Sequence, residues 1–153
     1  MEEEQDELRS FLTEGRIETC SPSMEEWCAE ISAAKSQGKS YQRVRKIQFP
    51  LTDYTRFEIV TGFRFSSKAG EQIRLLENEP ANLDLTDISD FWLFDDTLCF
   101  WLRYDEDGRF IRVDQADVAE LKLCVDLKPK LLAASVELRR SSSWRTLFPK
   151  GGA

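Results

Sequence analysis

Three aspartates bracket a run of bulky apolar residues in the stretch DFWLFDD, residues 90–96. The carboxylates of Asp90, Asp95 and Asp96 could bind a divalent cation or share a proton in acid–base catalysis. Adjacent residues of a strand point to opposite faces, however, and aspartate is common in turns because its side chain bonds the local backbone. We therefore expect Asp95 and Asp96 to form a turn between two strands, and a carboxylate-dependent metal enzyme remains the alternative.

A second acidic stretch, DEDG at residues 105–108, has glycine at its fourth position. An EF-hand calcium loop instead needs glycine at its sixth position and glutamate at its twelfth. Glycine readily adopts the positive φ of tight hairpin turns. The stretch therefore predicts a hairpin turn.

Charged residues are concentrated on the predicted strand at 41–49 and on the segment that follows it. Such residues can form a buried ion-pair network that joins the strand to the next helix, or they can line a functional pocket. The sequence favours the network and leaves the pocket open. Together with the two aspartates of the predicted turn, the candidate binding residues are Arg43, Arg45, Asp53, Tyr54, Arg56, Glu58, Asp95 and Asp96.

The chain contains no histidine, and its four cysteines include no CxxC pair. Histidine is the commonest general base and transition-metal ligand, and it activates serine and cysteine nucleophiles. Structural zinc sites usually bring cysteines together at short spacings. We therefore expect no catalytic residues, no metal and no cofactor, and the protein is predicted not to be an enzyme.

The net charge of −7 is unevenly distributed. Residues 1–30 hold ten acids against two bases and residues 47–127 seventeen against eight, whereas Lys35–Lys46 hold five bases and no acid. An acidic body repels nucleic acid and steers basic partners toward it. The charge pattern favours a protein partner that binds through the acidic surface.

The C-terminal segment RRSSSWRTLF interleaves bases with aromatic residues. That composition suits nucleic-acid binding, because bases stack on aromatic rings and cations contact phosphates. Nucleic-acid binding is therefore the alternative function. Its candidate residues, on the basic strand and in this segment, are Lys46, Arg139, Arg140, Trp144 and Arg145.

The hydrophobic pattern predicts an α+β fold with one mainly antiparallel sheet of about five strands. Both alternate faces of FWLF are apolar, which indicates a strand covered on both sides and a buried Trp92. Expected strands lie at 41–49, 72–76, 91–94, 98–104 and 109–113.

Capping residues and helical spacing predict the helices. Ser23 and Glu26 fit a capping box for a helix over 24–37, Thr52 and Asp53 can begin another, and Asp114 can begin one that spans 115–127 before Pro129. A short acidic helix is expected over 3–13.

At 153 residues the chain is predicted to form one domain. We expect an acidic N-terminal segment at 1–22, the α+β domain at 23–138 and a basic flexible tail at 139–153. The acidic beginning lacks the character of an export signal and no apolar run could span a membrane, so a cytoplasmic location is expected.

Several motifs in order resemble a family of short actinobacterial proteins known as a domain of unknown function. They are RV at 43–44, PLTDY at 50–54 with RFE at 56–58, AGE at 69–71 with IR at 73–74, DFWLFDD at 90–96 and DGRF at 107–110. The resemblance covers roughly residues 23–127. Genes of that family often lie beside helix-turn-helix regulators, which implies a regulatory partner by association.

The expected function is a non-enzymatic, regulatory interaction with a protein partner. That partner is a transcription regulator or a toxin-like protein, bound through the acidic surface in the manner of an antitoxin. A nucleic-acid-binding accessory protein and a carboxylate-dependent metal enzyme remain the alternatives.

Overall fold

The computed structural model describes residues 2–15 and 19–151. The chain folds into two compact units, the first built from the described residues up to Asn78 and from Ser135 onward, the second from Glu79–Ala134. In chain order the helices are α1 (Glu2–Glu14), α2 (Pro22–Ser36), α3 (Asp53–Glu58), α4 (Arg64–Ala69), α5 (Val118–Ala134) and α6 (Ser142–Leu147). The strands are β1 (Gln42–Lys46), β2 (Gln72–Leu76), β3 (Phe91–Phe94), β4 (Leu98–Tyr104), β5 (Phe110–Gln115) and β6 (Val136–Glu137).

The α+β class and the mainly antiparallel pairing are confirmed. The strands do not form one sheet, however, but two three-stranded sheets, ordered β1-β2-β6 and β3-β4-β5. The pair β1–β2 is parallel, because the helices between the two strands form a crossover connection. None of the helices within residues 2–15 and 19–151 is long and apolar enough to cross a membrane.

The first unit buries the apolar faces of its sheet and helices in one core. Alternate residues of β2 are buried, and its partners come from helical segments before and after it. The core residues are Ile47, Ile59, Phe63, Ile73, Leu75, Leu138 and Trp144. A smaller cluster of Phe11, Phe57 and Val60 packs α1 against α3.

The helix predicted over 24–37 is confirmed as α2, but its cap is not Ser23. Ser21 is the N-cap, and its hydroxyl accepts a hydrogen bond from the Met24 amide at 3.4 Å. Pro22 then occupies the first helical turn, where its missing N–H costs nothing. The capping position therefore lies two residues earlier than the Ser23–Glu26 spacing indicates.

One helical path leads from β1 to β2. Thr52 caps α3 as expected, and a π-helical turn over Ile59–Phe63 joins α3 to α4. The β-branched Ile59 and Val60 lie in this wide turn and are buried. Helix α4 ends at Gly70, whose φ is 122°. Glycine suits this position because most other residues avoid a positive φ.

The second unit is the expected antiparallel meander of β3, β4 and β5, with α5 packed on one face. The covered face is centred on Cys99, Trp101 and Cys124. The expected burial of Trp92 is wrong, since its side chain is 39% exposed. Strand alternation places Trp92 opposite Phe100, on the face that α5 does not cover.

Helix α5 also differs from its predicted bounds. Asp114 lies in β5, and the capping box is formed instead by Asp117 and Glu120, which bond each other's backbone amides at 2.9 and 2.8 Å. Pro129 lies inside the helix and does not end it. A proline inside a helix removes one backbone hydrogen bond and crowds the preceding turn, and the packing of α5 on the sheet offsets that cost.

The expected flexible tail is wrong for residues 139–151. A 3₁₀ turn over Leu138–Arg140 leads into α6, and Trp144 is only 4% exposed in the core of the first unit. The carboxylate of Glu77 accepts four hydrogen bonds from the amides and hydroxyls of Ser142 and Ser143. These contacts, together with the burial of Trp144, order the segment.

Candidate functional site

The first unit contains a cleft of about 360 Å³. It is lined by acidic, aromatic and small polar side chains from α1, α2, β1 and the helical path between β1 and β2. Among the described residues that line it, four are glutamates, namely Glu4, Glu7, Glu58 and Glu71, and Arg43 alone is basic. The cleft therefore has a negative interior.

The π-helical turn supplies part of the cleft wall. It contributes Thr61, Gly62 and Phe63. The hydroxyl of Thr61 donates to the Phe57 carbonyl at 2.7 Å, so this backbone carbonyl has a hydrogen-bond partner beside the widened turn. π-Helical turns are rare, and they occur frequently at functional sites. The presence of one in the wall therefore supports a functional role for the cleft.

Glu71 is the most deeply buried charged residue of the cleft. Its amide bonds the Ser66 carbonyl at 3.0 Å as the chain turns at Gly70, and this fixes the residue just before β2. Its side chain is 3% exposed, and Nε of Arg43 donates to its Oε1 at 2.8 Å. The other oxygen, Oε2, is buried and has no hydrogen-bond partner among the described residues.

Arg43 is itself held from two sides. Its guanidinium lies 5.6 Å from the centroid of the Phe63 ring while it pairs with Glu71. A cation over an aromatic face is attracted by the ring quadrupole. The arrangement joins β1 to the helical path and orients the Glu71 carboxylate.

A second ion pair joins β1 to the end of α3. Nη2 and Nε of Arg45 donate to Oε2 of Glu58 at 3.0 and 3.3 Å. Burial raises the pKa of the Glu58 carboxyl, and the guanidiniums of Arg45 and Arg43 offset this only in part. The proton affinity of Glu58 is therefore higher than that of an exposed glutamate.

Tyr54 closes one side of the cleft. Its hydroxyl donates to Oε1 of Glu4 at 2.9 Å, which ties α3 to α1. Burial, followed by the charges of Glu58 and Glu4, raises the pKa of the Tyr54 phenol. The phenol therefore stays protonated and acts as a hydrogen-bond donor at neutral pH.

The structure brings together four of the predicted site residues of this region, namely Arg43, Arg45, Tyr54 and Glu58. Asp53 and Arg56 are exposed on α3 and do not line the cleft. The Arg45–Glu58 pair joins strand and helix as one part of the expected network, whereas Arg43 pairs with Glu71 instead.

Sequence reasoning missed the three other glutamates of the cleft. Glu71 follows a glycine that ends a helix, and its place in the AGE motif was the available signal. Glu4 and Glu7 looked like ordinary surface residues of an acidic helix, because only the fold of α1 against α3 brings them to the cleft.

The predicted turn at Asp95 and Asp96 is confirmed. Their φ angles are 49° and 58°, and the Thr97 amide donates to the Phe94 carbonyl at 3.0 Å. Aspartate tolerates this left-handed conformation better than most residues. Oδ1 of Asp96 pairs with Nζ of Lys128 at 2.8 Å, so the side chain also contacts α5.

The DEDG hairpin turn is also confirmed, with Gly108 at φ 78° and its amide bonded to the Asp105 carbonyl at 3.0 Å. Within residues 2–15 and 19–151, no group of three or more cysteine, aspartate or glutamate side chains lies close enough to hold a metal ion.

The outer face of the β3-β4-β5 sheet exposes a set of large apolar side chains. Trp92 and Phe94 stack with their ring centroids 6.1 Å apart, and Tyr104 contacts Phe110 edge to face at 6.1 Å. Monomeric proteins rarely expose large apolar patches without a binding role. We call this the aromatic face, formed by Trp92, Phe94, Leu98, Tyr104, Phe110 and Val113.

Acidic residues flank the aromatic face. The Tyr104 hydroxyl donates to Oδ2 of Asp90 at 3.2 Å, and the two hairpin turns carry Asp95–Asp96 and Asp105–Asp107 at its ends. Interfaces commonly have such an aromatic centre with a polar rim.

The residues of the nucleic-acid alternative are arranged differently from the sequence prediction. Trp144 is buried, with the Arg139 guanidinium 5.3 Å from its ring centroid, so its ring is not exposed for stacking on a base. Arg140 pairs with Glu137 at 3.3 Å and Arg145 bonds the Ser141 carbonyl. Lys46 is exposed at the end of β1.

The four cysteines are free thiols. Burial, followed by the proximity of Cys28, raises the pKa of Cys20 to about 11, and burial with the nearby Cys99 raises that of Cys124 to about 12. Thiols with such values are protonated at neutral pH and are poor nucleophiles.

Comparison with known proteins places the chain in a family. No curated protein and no solved structure matches it. The family model described as Domain of unknown function (DUF6879) matches residues 1–141, so the match extends beyond the motifs of residues 23–127 and includes the acidic first helix. The chain therefore belongs to the DUF6879 family of domains of unknown function.

Proposed function

We propose that this chain is a non-enzymatic, cytoplasmic regulatory protein that binds a basic protein partner through the aromatic face of its second unit. The observation that carries the proposal is the exposure of Trp92, Phe94 and Phe110 on one sheet face between acidic turns. Aromatic residues are enriched at the centre of protein interfaces, and surrounding charges select a partner of opposite sign.

The apolar character of the face distinguishes a protein partner from a nucleic acid. A DNA-binding surface needs clustered cations to contact phosphates, whereas the aromatic face lies between Asp95–Asp96 and Asp105–Asp107. The partner therefore needs an apolar patch with basic residues at its edge. Helix-turn-helix regulators and many toxin-like proteins carry basic nucleic-acid-binding surfaces that an acidic protein can cover.

The resemblance of the motifs to actinobacterial proteins encoded beside helix-turn-helix regulators supports a regulator as the first partner to test. The free cysteines fit a reducing compartment. The protonated thiols and the absence of histidine support a role without catalysis.

The experiment is a capture of partners from native lysate with the intact chain, followed by an operator-shift assay with the recovered protein. We expect this chain to weaken the DNA binding of the recovered regulator and to shift no DNA alone. The matched bait variants are Phe94→Ser with Phe110→Ser on the aromatic face, and Val118→Ser on α5, which is an equally apolar exposed position elsewhere in the same unit.

The aromatic-face variant should lose the partner and the Val118 variant should keep it. Retention of the partner by the Phe94/Phe110 variant would contradict the proposed surface. A shift of DNA by the isolated chain at physiological salt would favour the nucleic-acid alternative.

A further inference from the structure

We infer that the cleft of the first unit is a binding site for an organic cation, an alkylammonium or guanidinium group, which donates to Oε2 of Glu71. This site shares no residue with the aromatic face, so the inference does not depend on the proposed function. Its three elements are an unpartnered buried carboxylate oxygen, a surplus of negative charge and an aromatic wall.

The unpartnered oxygen is the first element. Oε1 of Glu71 accepts from Arg43 at 2.8 Å, whereas Oε2 has no hydrogen-bond partner among the described residues although the side chain is 3% exposed. A buried polar atom without a partner costs free energy, and a carboxylate oxygen costs more than a neutral one. Because Glu71 lines the cleft, a donor bound there can satisfy this oxygen.

Charge selects the kind of donor. Four glutamates line the cleft, and the guanidiniums of Arg43 and Arg45 neutralise two of them, Glu71 and Glu58. Glu4 and Glu7 remain as additional negative charges on the α1 side. A cationic donor gains from this field, whereas an anionic or neutral donor does not.

The walls select an organic cation over a bare metal ion. Trp27, Tyr54, Phe57 and Phe63 line the same cleft of about 360 Å³, which is large enough for a small organic molecule. Aromatic faces attract ammonium and guanidinium groups and pack against their alkyl chains. The described residues offer no group of three acidic or thiol ligands for a metal.

The same chemistry can come from a free amine or from a lysine or arginine side chain of a protein, and the test distinguishes these sources. The intact chain is titrated by calorimetry with agmatine, spermidine, an arginine-containing tetrapeptide and MgCl₂. The indole N–H resonance of Trp27 is followed by NMR, which reports on the cleft itself. We expect saturable binding of at least one organic cation with a dissociation constant below about 1 mM, and no such binding of Mg²⁺.

Two cleft variants and one matched control locate the site. Glu71→Gln keeps the shape of the buried side chain and removes its charge, and we expect at least a roughly 10-fold loss of affinity. Glu7→Gln removes the charge of a cleft residue on α1, and a loss of roughly 3-fold is expected even if Glu71→Gln fails to fold. Glu26→Gln removes an equal charge from an exposed position of α2 outside the cleft and should bind as the parent does.

Saturable binding of agmatine or spermidine would indicate a small-molecule ligand. Binding of the tetrapeptide alone would indicate that the site takes a lysine or arginine side chain of a partner protein. The inference is overturned if none of the organic cations binds with a dissociation constant below about 1 mM. It is equally overturned if they bind but Glu71→Gln and Glu7→Gln both retain the affinity of the Glu26→Gln control.

Discussion

Arg43 donates to one oxygen of the Glu71 carboxylate at 2.8 Å and leaves the other oxygen of that carboxylate buried and without a partner among the described residues. The pair spans β1 and the residue that precedes β2, so it links the two parallel strands of the first sheet. Both residues line a cleft whose other charged lining residues are Glu4, Glu7 and Glu58. The contact is at once a structural ion pair and the centre of a candidate binding site.

Removal of Arg43 should destabilise the first unit. Arg43→Ala leaves both oxygens of the buried Glu71 carboxylate without a hydrogen-bond partner, and we expect a loss of about 2–4 kcal/mol in the free energy of unfolding. Urea denaturation followed by circular dichroism measures the change. The control is Arg56→Ala on the exposed side of α3, which should change stability by less than about 0.5 kcal/mol. Equal midpoints for the two variants would show that the pair contributes nothing.

Glu77 should make the stability of the protein depend on acid pH. Partial burial raises the pKa of Glu77, but the hydrogen bonds from Ser143 and Ser142 outweigh it and hold that pKa below its usual value. A carboxyl whose pKa is lowered on folding contributes stability above its unfolded pKa and loses that contribution as the pH falls through the folded value. We expect the difference in stability between the parent and Glu77→Gln to shrink as the pH falls below about 4.

The measurement is urea denaturation of both proteins at a series of pH values from neutral to acid. Glu26→Gln, at an exposed position of α2, is the control and should differ little from the parent at every pH of the series. A difference between the parent and Glu77→Gln that is constant across the series would contradict the role assigned to Glu77.

The two tryptophans of the second sheet should respond differently to truncation. Trp101 is 5% exposed under α5, so Trp101→Ala should cost about 3–5 kcal/mol. Trp92 is 39% exposed on the aromatic face, and Trp92→Ala should cost less than about 1 kcal/mol. Thermal or urea denaturation measures both losses in the free energy of unfolding. A loss for Trp92→Ala as large as that for Trp101→Ala would show that Trp92 is a core residue.

Trp92 also illustrates where sequence reasoning succeeds and fails. Local patterns placed the five long strands and the two acidic turns, because period-2 alternation and turn residues act over a few neighbours. The same patterns do not show which of two apolar faces a helix covers, since α5 follows β5 in the chain but packs on β3 and β4. Both faces of FWLF therefore looked equally buried.

The cleft was predictable only in part for the same reason. Arg43, Arg45, Tyr54 and Glu58 lie within 16 residues of one another, and their spacing suggested contacts between a strand and the next helix. Glu71 and the α1 glutamates reach the cleft through a parallel crossover and through helix packing, which involve distant parts of the chain. Ser142 and Ser143 likewise meet Glu77 across 65 residues of sequence, so the C-terminal segment looked like a tail.

Substitutions at the Asp95–Asp96 turn distinguish a structural role of these aspartates from a metal-binding role. Asp96→Gly fits the positive φ without strain and should keep or slightly raise stability, despite losing the exposed pair with Lys128. Asp96→Val places a β-branched residue at φ 58° and should cost about 1–2 kcal/mol. Denaturation of the two variants, with Mg²⁺ and without it, decides the role. Stabilisation of the parent by Mg²⁺ that both variants lose would support the metal enzyme instead.

The central claim is that the aromatic face binds a basic partner, and the most direct measurement is the affinity of the recovered partner for matched variants of this chain. Phe94→Ser with Phe110→Ser, Val118→Ser and the parent are compared by surface-immobilised binding at low and at physiological ionic strength. We predict a roughly 100-fold or greater loss for the aromatic-face variant, none for Val118→Ser, and an association rate for the parent that falls as salt rises. Equal affinities for the three proteins, with an association rate that does not depend on salt, would contradict the account.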